Sequence, residues 1–540
     1  MGIYMRKTSQ ALDCIANSLD KLGLTNLSLE LDKVANTIDK YAKTSETEVE
    51  RLLKAMLPGT PFAGKAKAVG GYVRDEYMSH LKGEEASPKD LDIVVGIGAG
   101  GAEKLAKFVH TELKKGTYTP RAMGEGYPIW QLVFNSDVEY KGEKYETNGA
   151  VIEFADAMQE RYPDPNSRQR ETVPSTIEED VKRRDFTVNM LLKDLTTGEI
   201  EDLTGTSKKD VENGILRGHP EVPLDKMFNE DPLRMLRLVR FNAKYGWKVP
   251  KDVIRAVQKN ADRIKIVSAE RIYGELEKIL KLGKLHQAVK FMSVCGLLSY
   301  ILPEVRALKG VEQDSRHHNE GDVYRHTMMV LKNAPLTIHG QMAALLHDVG
   351  KPKSQEYIDG KIKFLGHEEV GAEMTEAILE RMKFPKDIAD SVTRIVRHHM
   401  RPHHLNINGN PSERSIRKFI GEVGDDLEDV LAQALADRQG MLPYIPDVEE
   451  LKEKIKAVQE KNKALGVDPT KLPLNGTEVM ESVNIPRGPK VGEAMRLLKT
   501  LQDDYLTEGK VLDKETAILL LRKYFASQSS PDLVIDPSLK

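Results

Sequence analysis

Near residue 205 the hydrophobic rhythm of this chain changes, and that change limits the folds open to it. Between about 60 and 205, β-rich runs such as LDIVVGI, PIWQLVFN and VIEFADA are mixed with helical stretches. From about 208 onward the apolar residues recur at helical spacing, as in DPLRMLRLVRFNAKYGW, SAERIYGELEKILK and KLHQAVKFMSVCGLLSYIL. A sheet-bearing region followed by helical segments reads as an α+β chain. At 540 residues the chain exceeds one ordinary core, so three or more domains are expected.

Residues 1–55 stand apart. LDCIANSLDKLG and LSLELDKVANTIDKYA show helical spacing and are separated by Gly23, Leu24, Thr25 and Asn26. A helical hairpin is expected there, serving as an accessory or partner-binding segment. The final SQSSPDLVIDPSLK reads as disordered. Only two cysteines occur, Cys14 and Cys295, so disulfides do not organise the fold and a reducing cytoplasm is the expected compartment. No apolar run reaches the length of a membrane span, and the N-terminus does not read as a secretory signal. Net charge is −3, so any contact with RNA must come from local basic clusters.

GGYVRD (Gly70 to Asp75) precedes KDLDIVV (Lys89 to Val95). A strand repeats every two residues, so Asp90 and Asp92 share one face while Leu91 and Ile93 face a core. Paired carboxylates repel unless a cation lies between them. Oxygen ligands at this spacing suit Mg²⁺, which also binds phosphates. Gly70 and Gly71 let backbone N–H groups approach an anion, and Arg74 offers a forked donor to it. Glu153 in AVIEFADA is a candidate third metal carboxylate; an exposed strand residue is the alternative reading. A DxD alone is weak, and the combination is what points to a triphosphate held against a metal pair.

In DVKRRDFTVNMLLKD, Asp185 and Asn189 are four residues apart and are expected on one helix face beside Arg184. Asp accepts from ribose hydroxyls; Arg and Asn donate to phosphate or sugar. In NEDPLRMLRLVRF, Pro232 suits a first helical turn, and Asp231, Arg234 and Arg237 share a side. An acceptor-only Asp beside a donor-only Arg matches the edges of cytosine and adenine and mismatches uracil and guanine. A mismatch leaves buried polar groups unpaired, at roughly 1–3 kcal/mol each.

Ten of the fourteen histidines lie in residues 317–404. His326, His347, Asp348, His367, His399 and Asp437 come from successive helical segments and can converge on a divalent metal. His398 is an alternative to His399. His347 and Asp348 end an apolar run and are expected at the rim of a helical core.

GGYVRD with DLD, RRDFTVN, EDPLRMLRLVRF and SAERIYGELEKIL, in that order, resemble the motifs of the bacterial-type (class II) tRNA nucleotidyltransferase and poly(A) polymerase family, which includes the CCA-adding enzymes. The likeness runs from about 60 to about 525. One departure is Met190, where the family commonly has alanine. The resemblance implies a nucleotidyltransferase palm over 56–205, a helical neck and body over 206–310 and a helical, RNA-binding tail over 446–540, with 1–55 left as an extension. It implies Mg²⁺ on Asp90 and Asp92 as the catalytic pair. It implies sugar and triphosphate contacts from Arg184, Asp185 and Asn189, and base selection by Asp231 and Arg234; Gly70, Gly71, Arg74 and Arg237, read from their own chemistry, complete the expected nucleotide site. Residues 311–445 resemble the HD metal-dependent phosphohydrolases, which implies Mn, Ni, Fe or Mg and a phosphodiesterase or phosphatase activity. The implied substrates are the tRNA 3′ end, CTP and ATP. A poly(A) polymerase or A-adding enzyme, or a chain that is chiefly an HD hydrolase, are the rival readings.

Overall fold

Strand β1 (Ala66–Val69) is buried along its whole length and ends at Gly70, whose φ of 75° turns the chain straight into helix α1 (Gly71–Lys82). A side chain rarely adopts that backbone conformation, so glycine is what permits a one-residue strand-to-helix turn. This turn belongs to the first of two compact units, Met1–Pro303 and Glu304–Lys540, in a computed structural model that describes residues 47–84, 91–123, 129–161, 171–313, 321–406, 411–440, 447–468 and 471–528. The expected N-terminal hairpin, Asp90 and the last twelve residues lie outside the described residues.

The first unit is built on a seven-stranded mixed sheet. Its strands are β1, β2 (Asp92–Val95), β3 (Arg121–Met123), β4 (Ile129–Val133), β5 (Val151–Asp156), β6 (Leu192–Asp194) and β7 (Ile200–Glu201). The spatial order is β7-β6-β1-β2-β5-β4-β3, with β2 and β5 parallel and every other pair antiparallel. Ile93, Val94, Leu132, Ile152 and Phe154 are buried, each contributing about 1.5–3 kcal/mol of hydrophobic stabilisation. Met190 joins Val69, Val94, Ala157, Val181 and Leu192 in a core cluster, so its apolar bulk is accommodated where alanine was expected. The glycine-rich GAGG run leads into a helix at Ala102–Leu113, whose first N–H is capped by Asp156 Oδ1 at 2.7 Å.

A helix over residues 47–56 is integral to this unit. Val49, Leu52, Leu53 and Met56 are buried, and Glu50 accepts from Tyr72 and pairs with the buried Lys193 at 2.5 Å. Downstream, α2 (Leu233–Tyr245) packs against α3 (Ala269–Lys281).

Among its described residues the second unit is helical apart from one hairpin, Gln355–Ile358 with Lys361–Phe364. Its bundle contains α4 (Val323–Asn333), α5 (Ile338–Leu346), α6 (His367–Arg381), α7 (Lys386–His398) and α8 (Leu427–Gly440). A Cβ on Gly350 would lie 2.2 Å from the His367 carbonyl oxygen and 2.6 Å from the Gly371 nitrogen. Glycine there lets the loop after α5 touch the start of α6. A separate apolar cluster around Leu474, Val479, Leu498 and Leu521 forms the core of the tail. No helix among the described residues is long and apolar enough to cross a membrane.

Candidate functional site

The first unit has a cleft of about 430 Å³ lined by Gly70, Gly71, Arg74, Asp92, Arg184, Asp185, Asn189, Asp231, Arg234 and Arg237. Four separated sequence motifs therefore meet in one place. The rest of the lining is Glu160, Arg183, Arg240, Phe241, Lys244 and Arg271. Eight cationic side chains face four carboxylates, so a cleft in a chain of slightly negative net charge is locally suited to a polyanion.

The arginines are fixed by buried acceptors. Asp180 has no exposed surface; its Oδ1 accepts from Arg183 Nε (2.8 Å) and Nη2 (2.6 Å), and its Oδ2 from Arg184 Nε (3.1 Å) and Nη2 (2.9 Å). Asp185 Oδ2 accepts from Arg237 Nε at 2.8 Å and Nη2 at 2.5 Å, and its Oδ1 from Asn189 Nδ2 at 2.9 Å and the Phe186 N–H at 2.8 Å. Asn189 Oδ1 in turn accepts from Arg74 Nη1 at 2.5 Å. Burial disfavours the charged form of Asp185, but Arg237, Asn189 and the Phe186 amide outweigh it and hold the carboxyl well below the usual range. Arg240 donates to the buried Glu275 at 2.5 Å and lies 4.4 Å over the Phe241 ring.

The expected helix through Asp185 and Asn189 is instead a short 3₁₀ turn, Thr187–Asn189, after an extended Phe186. The Asp185 carboxylate folds back onto the backbone N–H of Phe186, an alternative to helix that aspartate offers readily. The two side chains still meet.

Asp231 ends the helix Leu224–Glu230 in an extended conformation, and Pro232 opens α2. Asp231 Oδ1 accepts from the Leu233 N–H at 3.3 Å, and its Oδ2 pairs with Arg271 Nη2 at 3.2 Å. The buried Arg234 donates to the carbonyls of Met227 (3.0 Å) and Arg183. Asp180, Arg271, Arg240 and Phe241 were not singled out in the sequence. The spacing of Asp180 to Arg183 and Arg184 was a usable signal; the pairing of Asp231 with Arg271 depends on tertiary structure alone.

Asp92 is exposed at the start of β2 while Leu91 and Ile93 are buried, as strand alternation requires. Glu153 lies directly across the parallel β2–β5 register from Asp92, which places both on one face. It accepts from Gln131 Nε2 at 3.2 Å and does not line the cleft. Two carboxylates on adjacent strands are a donor set that fits a hard divalent ion.

In the second unit the six expected metal ligands are all buried and form two triads, His326 with His347 and Asp437, and Asp348 with His367 and His399. Within each triad the ligand atoms lie within 4.8 Å of one another. His347 and Asp348 are fully enclosed rather than at a rim, because α5 runs through the centre of the bundle. His399 is buried and the half-exposed His398 is not part of the cluster. The Nδ1 atoms of His347, His367 and His399 face the carbonyls of Ala344 (2.9 Å), Phe364 (2.8 Å) and Val396 (2.6 Å). An Nδ1–H donated to each carbonyl would leave the Nε2 atom facing inward as the donor atom to a metal. The Nε2 atoms of His367 and His399 are buried without a hydrogen bond. Burial, together with His367 and His347, keeps His399 well below the ordinary histidine value and hence neutral. Burial opposes charge on Asp348 and Asp437, yet His347 and Lys351 beside the first, and His326 and His403 beside the second, hold both carboxyls well below their usual range. His403, absent from the expected set, contacts Asp437 Oδ2 at 3.2 Å.

Comparison with known proteins finds matches in both units. Residues 66–217 match the family of the poly A polymerase head domain, residues 246–308 the probable RNA and SrmB-binding site of polymerase A, and residues 323–438 the HD domain. A CC-adding tRNA nucleotidyltransferase of Thermus thermophilus is 32% identical over 359 residues, covering 63% of this chain and 76% of that protein. A multifunctional CCA protein of Pseudomonas fluorescens is 28% identical over 447 residues, covering 79% and 95%. The fold is shared with the CCA-adding enzyme of Bacillus stearothermophilus in complex with CTP, at TM-score 0.52 and 22% identity over 86% of this chain and 94% of that one.

Proposed function

Since the chain belongs to the family of tRNA nucleotidyltransferases that carry the poly(A) polymerase head domain, we propose that it adds C, C and A in turn to tRNA 3′ ends from CTP and ATP without a nucleic-acid template. The observation that carries this reading is the convergence of ten motif residues on one cationic cleft.

In this reading the triphosphate lies among Arg74, Arg184 and Arg237, each already oriented by a carboxylate or amide of the protein. Preorganised donors need no rearrangement as charge develops. Gly70 and Gly71 keep the backbone low enough for phosphate to approach. Asp231 and Arg234 present acceptor and donor to the base edge. The RNA 3′ oxygen bonds to the α-phosphorus as the bond to pyrophosphate breaks, and the hydroxyl proton passes to a base at the cleft. Asp90 and Asp92 would hold Mg²⁺, with Glu153 alongside. Bound there, the ion supplies charge neutralisation for the triphosphate oxygens.

The HD residues support a second, phosphodiesterase or phosphatase activity. His326, His347, Asp348, His367, His399 and Asp437 would hold a divalent ion such as Mn, Ni, Fe or Mg. Such an ion supplies Lewis acidity toward a phosphoryl group and water. Lys351, 2.8 Å from Asp348 Oδ2 and 2.8 Å from Gln313, would help to orient the carboxylate.

The test gives purified protein a tRNA lacking its 3′-terminal nucleotides, with each labelled NTP singly and then CTP with ATP, and sequences the products. Termination after C, C and A is expected. A lone A, a stop after two C residues, or a long A tract would replace the reading with an A-adding, a CC-adding or a poly(A) polymerase activity.

A further inference from the structure

We propose that Arg271 is a positioning residue for base selection, acting by locking the Asp231 carboxylate in one orientation; this rests on the reading of Asp231 as a base-contacting group. Arg271 comes from α3, outside the motif that contains Asp231, and both residues line the cleft. Its Nη2 lies 3.2 Å from Asp231 Oδ2, while the other oxygen accepts from the Leu233 N–H at 3.3 Å. A carboxylate held at both oxygens cannot turn about its terminal torsion. The lone pairs of an oxygen so fixed then point in a set direction.

Fixed direction is what discrimination by an acceptor requires. A rotating carboxylate can move away from a carbonyl that repels it, and the penalty against uracil or guanine falls. Arg234 donates one N–H of each Nη to the carbonyls of Met227 and Arg183, which anchors it and leaves its other N–H groups for the base edge rather than for Asp231. Arg271, whose side chain is 39% exposed, is free of such backbone ties and its removal leaves no large cavity.

The experiment measures single-nucleotide addition from each of the four NTPs by the full chain. Arg271→Ala is expected to raise the rate of UMP and GMP addition relative to CMP and AMP by about tenfold. Arg271→Lys, which retains a cation, should restore most of the discrimination. In an Asp231→Ala background the Arg271→Ala change should add no further loss. Unchanged ratios, a uniform fall for all four nucleotides, or an equal effect without Asp231 would each overturn the proposal. A parent enzyme that adds A alone would overturn the CCA reading, and the rise in UMP and GMP addition would still report on Arg271.

Discussion

The cleft of the first unit and the histidine cluster of the second both concentrate ionisable side chains, yet their hydrogen-bonding states are opposite. In the cleft, carboxylates are already paired: Asp180 with Arg183 and Arg184, Asp185 with Arg237, Asp231 with Arg271. In the cluster, the buried Nε2 atoms of His367 and His399 make no hydrogen bond, although His367 Nε2 lies 3.5 Å from Asp348 Oδ1. A buried polar atom without a hydrogen bond costs about 1–3 kcal/mol, and a cation held by this group would offset that cost. The cleft is complete as protein and presents surplus positive charge to an anionic ligand. The contrast teaches that arginines fixed by carboxylates present charge to an anion, whereas clustered imidazoles and carboxylates present lone pairs suited to a metal.

The largest effects should separate the two sites. Asp92→Ala is expected to lower CMP and AMP addition by at least about 10³-fold, the upper range for removing a group that stabilises developing charge. Phosphohydrolysis by the second unit should persist. Substantial addition by this variant would remove Asp92 from the mechanism. In the opposite direction, His347→Ala should weaken retention of divalent metal, measured by elemental analysis, at least about a hundredfold while addition continues. Prolonged chelation of the parent chain should likewise lower the melting temperature of the second unit, since a ligand at a hundred times its Kd stabilises by about 2.7 kcal/mol. Equal metal content in parent and variant would break the contrast.

An intermediate effect tests the paired state of the cleft. Asp185→Asn keeps the size of the side chain and removes the charge opposite Arg237. A charge-assisted hydrogen bond is worth about 1.5–3 kcal/mol, so KM for CTP and ATP should rise about tenfold to a hundredfold. The Asp185 carboxyl is held below its unfolded value, so its contribution is present in full above the ordinary aspartate range near about 4 and fades only as pH falls through the depressed value. Nucleotide affinity of the parent should therefore show no Asp185 titration between about pH 5 and 8. A titration within that window that Asp185→Asn abolishes would show the carboxylate to be less well paired than the geometry indicates.

Sequence legibility followed the same division. Gly70, Arg74, Asp92, Asp231 and Arg234 were readable because short motifs have fixed local geometry. The strand alternation around Asp92 needed only local rules. The buried histidine and aspartate cluster was readable as composition, since so many histidines in so short a stretch point to a shared role. What escaped was long-range. Arg271 is forty residues from Asp231 and His403 is thirty-four from Asp437, so only the folded chain shows whom they serve. The helix expected at Asp185 failed because a side chain captured its neighbour's N–H, a competition that periodicity does not register.

Glu153 gives the smallest and sharpest test, because it shares features of both sites. It stands in register with Asp92 on one face of the sheet, as a metal carboxylate should. It also accepts from Gln131 and lies off the cleft lining, as a paired structural acid does. Replacement by glutamine keeps the shape and an acceptor for Gln131 while removing the charge. If Glu153 acts at a distance, the ion loses one nearby negative charge but none of its direct oxygens. Screened by solvent at a half-exposed strand position, that loss is worth about 1 kcal/mol. The expected result is a fall in addition of less than about tenfold, with an increased requirement for Mg²⁺. A loss as large as that of Asp92→Ala would instead make Glu153 a direct ligand. That outcome would require its side chain to leave Gln131 and turn into the cleft when the nucleotide binds.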